Sequence, residues 1–272
     1  MKTFVQVFKK NFSNYHCDNT QYFHGLGDFL RSTLGLYILS KKHNFNLVVD
    51  FSLHPIKEYI EHVENDYSIL VKSNENNIRL LYENQILDII NNNNNEEIIF
   101  LFGFFELSVY DTPLTEDAMV FMKNLIKPNK IMLDYINLKL LELPFTNFNI
   151  IQYRLGDKIL FNNNNNDKKE YNINDIIDNL DSTNNILLSD SCEFKEFVRG
   201  KNLNIFIFDT KICHLGWYDN DMDIKDTLFE FFLVLKASNI KSFSVYHWPS
   251  GFTYAISFIY KIPYESKVNL II

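Results

Sequence analysis

Four short segments of the sequence combine glycine, hydroxyl and charged residues in patterns that suit the binding of a phosphate or a ribose. The first is Gly25-Leu26-Gly27-Asp28, which directly precedes a segment with helical spacing. Glycines let the backbone approach a ligand closely, and the following helix directs free N–H groups and the positive end of its dipole at that ligand. Alternatively, the four residues form a tight turn in which Asp28 caps the helix.

The second segment, QYRLGD at residues 152–157, closes a short apolar run with the character of a buried strand. Arg154 stands where such a strand emerges at the edge of its sheet. A guanidinium there can grip a diphosphate through two parallel hydrogen bonds and offset the charge that develops as the diphosphate leaves. Asp157 is placed to orient Arg154, to cap a helix or to touch the ligand. A surface Arg–Asp pair explains the same residues without any ligand.

The third segment is Ser189-Asp190, at the end of the apolar run NILLS. Hydroxyl and carboxylate groups at the carboxyl end of a parallel strand suit a ribose or the edge of a base. Either side chain could instead cap the helix that is expected to start near Cys192.

The fourth segment, Ser250-Gly251-Phe252-Thr253, leads into an apolar segment with helical spacing. Small residues at the start of a helix leave room for a phosphate beside the free N–H groups. The alternative is an ordinary capped turn, with Phe252 and the nearby Trp248 in the core.

These segments must be positioned by the strands and helices between which they lie. Apolar runs typical of strands alternate with segments of helical spacing. The predicted strands are 4–8, 47–51, 97–102, 148–153, 185–189, 204–208 and 242–245, and the predicted helices are 28–43, 116–125, 131–141, 173–180, 192–198, 227–238 and 253–260. Such alternation is typical of parallel sheets that helices cover on both faces.

Two such series, separated near Pro144, predict an α/β chain with two Rossmann-like domains, residues 1–144 and 145–272. We expect their parallel sheets to face a central cleft. Ligands of such sheets bind at the carboxyl ends of the strands, where the four segments are expected to lie.

Composition and charge exclude several classes of protein. Apolar residues make up 46% of the 272 positions, so the chain can bury a sizeable core. A formal net charge of −8 repels phosphate backbones, so nucleic acid is not an expected partner. The three cysteines, Cys17, Cys192 and Cys213, fit neither a disulfide framework nor a zinc pattern, so no metal is expected.

The sequence also predicts a cellular location and indicates a source. It contains no signal-peptide core and no run long enough to span a bilayer, which predicts a cytoplasmic protein without a membrane span. The surplus of Asn, Ile, Lys and Phe is typical of an AT-rich genome, such as that of a protist or a large DNA virus.

Taken together in chain order, the segments resemble the fucosyltransferase-like glycosyltransferases of the GT-B fold. That family has a His-x-Arg-x-Gly-Asp strand end, a Ser-Asp strand end, a Ser-x-Phe-Ser type loop before an Ala-containing helix, and an opening Gly-x-Gly-Asn. The corresponding positions here are 152–157, 189–190, 250–253 with Ala255, and 25–28, and residues 226–238 loosely match an Asp-rich helix of the family.

The resemblance implies an inverting, metal-independent sugar transfer without a cofactor. The donor would be GDP-fucose or another nucleotide sugar, and the acceptor a glycan or another glycoconjugate. Arg154 would hold the diphosphate, and residues 250–253 (Ser250, Gly251, Phe252 and Thr253) would close over it. Ser189 and Asp190 would lie near the nucleoside, and the loop of Gly25 and Gly27 would face the sugar phosphate.

Two positions depart from the family pattern. Gln152 replaces the family's histidine, so any role of that imidazole is lost or moved. Asp28 replaces an asparagine, and a carboxylate beside a diphosphate would repel it. The same Gly-x-Gly-Asp opening is similar to that of bacterial heptosyltransferases, in which the aspartate is the proposed base. By that analogy Asp28 would deprotonate the acceptor hydroxyl, and Asp157 is the next candidate.

Other functions are compatible with the same motifs. A transferase that uses another nucleotide sugar would share these motifs, since they do not reveal the contacts of the base or the sugar. A non-catalytic nucleotide- or carbohydrate-binding protein could use the same scaffold. A nicotinamide oxidoreductase fits less well, because Gly25 and Gly27 lack a third glycine at the fingerprint spacing.

Overall fold

The computed structural model describes residues 1–10, 13–15, 21–23, 25–62, 65–91, 97–105, 113–155, 173–178, 180, 184–216 and 221–268. The chain divides into two compact units, Met1–Met132 with His214–Asp221, and Leu133–Cys213 with Met222–Ile272. These bounds differ from the predicted domains 1–144 and 145–272. The family resemblance further implies that domain 1–144 is the acceptor side and that domain 145–272 binds the nucleotide sugar, and both roles remain predictions.

The first unit is built on a parallel sheet. Its elements are β1 Thr3–Val7, β2 Ser13–Tyr15, β3 Gln21–Phe23, α1 Leu26–His43, β4 Asn46–Asp50, α2 Asp66–Ser73, β5 Arg79–Tyr82, α3 Glu83–Asn91, β6 Ile98–Phe105 and α4 Glu116–Leu125, with 3₁₀ turns at Pro55–Glu58 and Glu75–Asn77. The sheet has the order β4-β1-β6-β5, with every pair parallel, and β2 and β3 form a separate antiparallel pair.

The second unit is built on another parallel sheet. Helix α5 Lys130–Leu140 runs into it from the first unit, and its further elements are β7 Asn149–Arg154, α6 Asn174–Ile177, β8 Asn185–Ser189, α7 Cys192–Arg199, β9 Ile205–Phe206, α8 Asp221–Val234, β10 Ile240–Ser244, α9 Gly251–Tyr260 and β11 Tyr264–Lys267. The sheet order is β11-β10-β7-β8-β9, again wholly parallel.

Burial on both sheet faces accounts for the apolar runs. All five residues of β1 and all five of β8 are buried, as expected for strands of a parallel sheet covered by helices. The predicted α/β class with parallel sheets is confirmed, and each predicted strand and helix overlaps an observed element. The sequence pattern does not predict β2, β3, β5, β11, α2 or α3. Strands β5 and β11 lie at sheet edges, where exposed side chains interrupt the apolar run.

Small residues hold α1 close to its sheet. A Cβ atom added at Gly103 of β6 would lie 2.2 Å from Ser32 Oγ on α1, so the two elements approach closely there. Gln6 of β1 donates hydrogen bonds from Nε2 to Phe102 O at 3.1 Å and to Ser32 Oγ at 3.3 Å. This packing fixes the position of α1 and of Gly25 at its start.

A buried ion pair links α7 to α8. Lys195 Nζ lies 2.9 Å from Glu230 Oε1, and both side chains are 3% exposed. Thr210 joins them, since its Oγ1 donates to Glu230 Oε1 at 2.6 Å and accepts from Lys195 Nζ at 3.0 Å. Burial raises the pKa of Glu230, whereas the charge of Lys195 and the hydrogen bonds oppose that shift. The carboxylate is therefore stabilised by its partners and not by water.

We expect Glu230→Ala to lower the free energy of unfolding of the protein by about 3–5 kcal/mol, because it strands the Lys195 charge in the interior. The matched control is Glu196→Ala, which removes the exposed carboxylate of the surface pair with Arg199 and should cost less than about 1 kcal/mol. Urea-induced unfolding followed by circular dichroism measures both. Equal effects of the two substitutions would contradict the interpretation.

Candidate functional site

The sheet of the second unit has a point where the strand order reverses. From β7 the chain proceeds outward through β8 and β9, and then returns to place β10 on the other side of β7. The crevice outside the carboxyl ends of two such strands is where open α/β sheets bind ligands. Arg154 ends β7, pairs with Ser244 of β10, and accepts a hydrogen bond at its carbonyl from Val245 N at 3.2 Å. Arg154 therefore lies where a ligand site is expected.

The Arg154 guanidinium lies on an aromatic ring. Its Cζ is 5.2 Å from the centroid of the Tyr246 ring, a distance at which a cation is attracted to the ring face. The side chain is half-buried, and no carboxylate among the described residues forms an ion pair with it. The predicted partner Asp157 and the neighbouring Gly156 lie outside the described residues. Within the described residues, therefore, no carboxylate competes with an anionic ligand for the guanidinium.

Gln152 binds three hydroxyl groups next to Arg154. Its Oε1 accepts from Thr253 Oγ1 at 2.5 Å and from Ser242 Oγ at 3.0 Å, and its Nε2 donates to Ser250 Oγ at 3.0 Å. Side chains alternate along a strand, so Gln152 and Arg154 share one face of the sheet. The residue at the position of the family's histidine therefore holds the 250–253 turn against β7.

The 250–253 turn forms the start of α9. Ser250 is the N-cap residue, but its hydroxyl makes no capping bond and accepts from Gln152 instead. Phe252 packs on Phe231 with ring centroids 5.9 Å apart, and Thr253 is fully buried. The first N–H groups of a helix have no partner within the helix, and they carry the positive end of its dipole. Gln152 thus fixes a helix terminus that suits a phosphate.

Gly251 has open space around its Cα atom. Apart from its chain neighbours and its own helix, a Cβ added there would meet no atom of the described residues within 4 Å, and its φ is outside the left-handed region. Neither packing nor backbone conformation therefore requires glycine at this position. Close approach of a ligand to the backbone is a physical reason for a glycine here.

Ser189 and Asp190, the segment predicted to suit a ribose, make hydrogen bonds within the protein. Ser189 is 2% exposed, and its Oγ accepts from Ser191 N at 3.2 Å. Ser191, and neither Ser189 nor Asp190, caps α7, since its Oγ accepts from Phe194 N. Asp190 Oδ1 accepts from Leu155 N at 2.9 Å, which connects the ends of β7 and β8. The predicted contact of Ser189 and Asp190 with a nucleoside remains a prediction.

The glycine loop at residues 25–28 belongs to the first unit. Helix α1 starts at Leu26 with Gly25 as its N-cap, so Gly27 and Asp28 lie inside the first turn. The expectation that Asp28 caps the helix is therefore wrong: a residue in the first turn already has helical backbone geometry. Asp28 Oδ1 instead accepts from Arg31 Nη2 at 3.2 Å.

A histidine that is distant in sequence lies against Gly25. A Cβ at Gly25 would be 3.0 Å from His214 Nε2, so glycine permits this approach. His54 fixes the adjoining residue: its Nδ1 accepts from Ile56 N, which makes Nε2 the donor to Leu215 O at 2.8 Å. The segment that begins at His214 is accordingly part of the first unit. Its short sequence gives no periodic signal from which this position could be predicted.

Solved fucosyltransferases share the fold described above. NodZ alpha-1,6-fucosyltransferase co-crystallized with GDP superposes with a TM-score of 0.55 and 12% identity, over 94% of this chain and 91% of that chain. For fucosyltransferase NodZ from Bradyrhizobium the TM-score is 0.51 and the identity 13%, over 94% of this chain and 91% of that one. A mutant of Arabidopsis thaliana FUT1 in complex with GDP gives a TM-score of 0.54 and 12% identity, over 97% and 70%.

The chain therefore has the GT-B fold, with two Rossmann-like domains. At this level of identity the likeness extends to the fold alone. No model of a protein family matches the sequence, and no curated protein matches it either.

Two further findings concern the described residues alone. They contain no group of three or more His, Cys, Asp or Glu side chains arranged to hold a metal ion. None of their helices combines the length and apolar character needed to cross a bilayer.

The Cys213 thiol is partly buried next to Thr227. Burial raises its pKa to about 11, although a hydrogen bond with Thr227 acts in the opposite direction. Cys192, by contrast, is exposed. A thiol is nucleophilic as the thiolate, so a raised pKa makes Cys213 a poor candidate for a catalytic nucleophile.

We expect iodoacetamide at pH 8 to alkylate Cys192 well before Cys213. Between pH 8 and pH 10 the labelling rate of Cys213 should rise about tenfold per pH unit, because the thiolate fraction rises in that proportion below the pKa. Peptide mapping by mass spectrometry separates the two sites. Fast labelling of Cys213 that does not change with pH would contradict the raised pKa.

Proposed function

We propose that this protein is a glycosyltransferase that transfers a sugar from a nucleotide donor, most specifically fucose from GDP-fucose, to a hydroxyl of a glycan or glycoconjugate. The observation that carries the proposal is the Arg154 guanidinium, which stands at the strand reversal without a carboxylate partner among the described residues. The fold shared with solved fucosyltransferases, two of which are complexes with GDP, supports the same conclusion.

Arg154 and the start of α9 supply the charge that such a reaction needs. In the transfer, the acceptor oxygen bonds to the anomeric carbon of the donor sugar, and the bond from that carbon to the diphosphate breaks. Negative charge then develops on the leaving diphosphate. A guanidinium and helix N–H groups that are already oriented stabilise this charge without further rearrangement. Gln152 contributes by holding Ser250 and Thr253, and hence the helix start, in place.

A base must take the proton of the acceptor hydroxyl, and Asp28 and Asp157 are the candidates. Arg31 pairs with Oδ1 of Asp28, and the Asp28 side chain is 43% exposed, so the carboxylate is not buried away from a substrate. Asp157 lies outside the described residues. Inversion at the anomeric carbon and independence from metal ions remain expectations from the family resemblance.

The proposal predicts that GDP raises the melting temperature of the protein more than UDP, ADP or NAD does. A ligand at one hundred times its Kd stabilises the folded state by about 2.7 kcal/mol, which corresponds to a shift of roughly 5–10 °C for a chain of this size. Arg154→Ala should abolish the shift with GDP, and Arg154→Lys should restore only part of it because the bidentate fork is lost. Thermal-shift measurements test all four ligands.

Arg79→Ala is the matched control, since it removes an exposed arginine from β5 of the first unit. The melting temperature of this variant should rise with GDP as much as that of the unmodified protein does. An Arg154→Ala protein that keeps the full GDP shift would refute the proposed site.

Gly251→Ala tests whether a phosphate approaches the start of α9. The added methyl meets no protein atom, so the free energy of unfolding should stay within about 1 kcal/mol of the unmodified protein, with any change towards greater stability. Affinity for GDP should nevertheless fall at least tenfold, because the methyl occupies space that the phosphate needs. Isothermal titration calorimetry measures the affinity and urea unfolding the stability. Unchanged affinity would place the phosphate elsewhere.

The alternative of a non-catalytic binding protein rests on Gln152, which replaces the family's histidine with an amide that does not titrate. Binding experiments do not separate the two functions. Slow hydrolysis of GDP-fucose by the protein, lost in Arg154→Ala, would establish an enzyme. GDP binding without any turnover of GDP-fucose, with or without an acceptor, would favour the binding protein.

A further inference from the structure

Trp248 is an exposed aromatic side chain beside the candidate site. It lies between β10 and α9, at the carboxyl edge of the sheet, and 53% of its surface is exposed. Single exposed apolar residues are common and by themselves carry no meaning. Trp248 differs because its ring is held in place by contacts that lead directly to Arg154.

These contacts form a short aromatic series. The Trp248 indole stacks on the Tyr246 ring with centroids 5.3 Å apart and an interplanar angle of 23°. The same Tyr246 ring is 8% exposed and carries the Arg154 guanidinium 5.2 Å from its centroid. The His247 ring adds an edge contact to the indole at 6.3 Å. The exposed indole of Trp248 is thus connected to the Arg154 guanidinium through the Tyr246 ring.

A ligand that binds both the Trp248 indole and the Arg154 guanidinium needs a flat ring at one end and an anion at the other. A nucleoside diphosphate has this form, since a ribose separates its base from its phosphates. Stacking on a tryptophan is favourable for any base, and the larger face of a purine gains more from it. The indole and the phosphate-binding groups lie at the same edge of one sheet, where a single extended ligand can reach them both.

We propose that Trp248 is the stacking platform for the purine base of the nucleoside diphosphate whose phosphates bind Arg154 and the start of α9. The inference rests on the proposed function and adds to it the position of the base. Tyr246 has a positioning role, because it orients the indole and the guanidinium relative to each other. The larger ring of a purine gains more from stacking, so the platform favours purines over pyrimidines. Stacking involves no hydrogen bonds to the edge of the base, so the choice between guanine and adenine depends on other groups.

The fluorescence of Trp248 reports on this stacking directly. The chain has two tryptophans, so Trp217→Phe leaves Trp248 as the only indole. Titration of this variant with GMP and with GDP should quench the fluorescence, because a base stacks on the indole. Inorganic pyrophosphate, which occupies only the phosphate groups of the site, should bind without quenching.

Binding measurements on full-length variants complete the test. Trp248→Ala should weaken GMP and GDP about tenfold each and leave the affinity for pyrophosphate unchanged. Trp248→Phe, which keeps an aromatic face, should recover most of the loss. Arg154→Ala should show the opposite pattern, in which pyrophosphate and GDP are weakened more than GMP.

The outcomes separate this inference from the proposed function. If Trp248→Ala binds GDP as tightly as the unmodified protein, the platform is refuted and the proposed function stands. If Trp248→Ala changes only the KM of the acceptor, the indole belongs to the acceptor site and the inference is likewise refuted. If the unmodified protein binds neither GDP nor pyrophosphate, both the inference and the proposed function fail.

Discussion

The parallel pairing of β7 with β10 is the constraint on which the candidate site depends. It sets Gln152 opposite Ser242 and Arg154 opposite Ser244, and the chain that leaves β10 then delivers Tyr246, Trp248 and the start of α9 to the same edge. A parallel pair needs a long crossover connection, so none of these contacts is local. A shift of one residue in the register would turn Gln152 and Arg154 to the opposite face of the sheet.

Most polar side chains around this pairing have partners within the described residues, and Arg154 differs from them. Gln152 is satisfied by three hydroxyl groups, and Asp190 by the backbone of Leu155. The buried Lys195 and Glu230 satisfy each other. Arg154 contacts the face of the Tyr246 ring, and no carboxylate within the described part of the chain forms an ion pair with it. A half-buried cation without such a pair among the described residues favours an anionic ligand over a purely structural role.

The first unit presents a different arrangement at the start of its own long helix. A Cβ at Gly25 would crowd the His214 ring, which favours glycine there, and Asp28 lies in the first turn paired with Arg31. Asp28 stabilises the helix through the dipole in any case, since a negative charge in the first turn is favourable. The proposed role of Asp28 as a base is separate from this structural role and does not follow from it.

The sequence alone determined the α/β class, the succession of strands and helices, and the candidates Arg154 and 250–253, because burial leaves a periodic trace along a strand or helix. Edge strands such as β11 were not predicted, since their exposed side chains leave no such periodic pattern. Only the tertiary structure decided that Gln152 binds Ser242, Ser250 and Thr253, which are 90, 98 and 101 residues away. The same holds for the cap at Ser191, the Asp28–Arg31 pair and the rings beside Arg154. Hydrogen bonds and stacking depend on which strands become neighbours, and no local pattern in the chain records that choice.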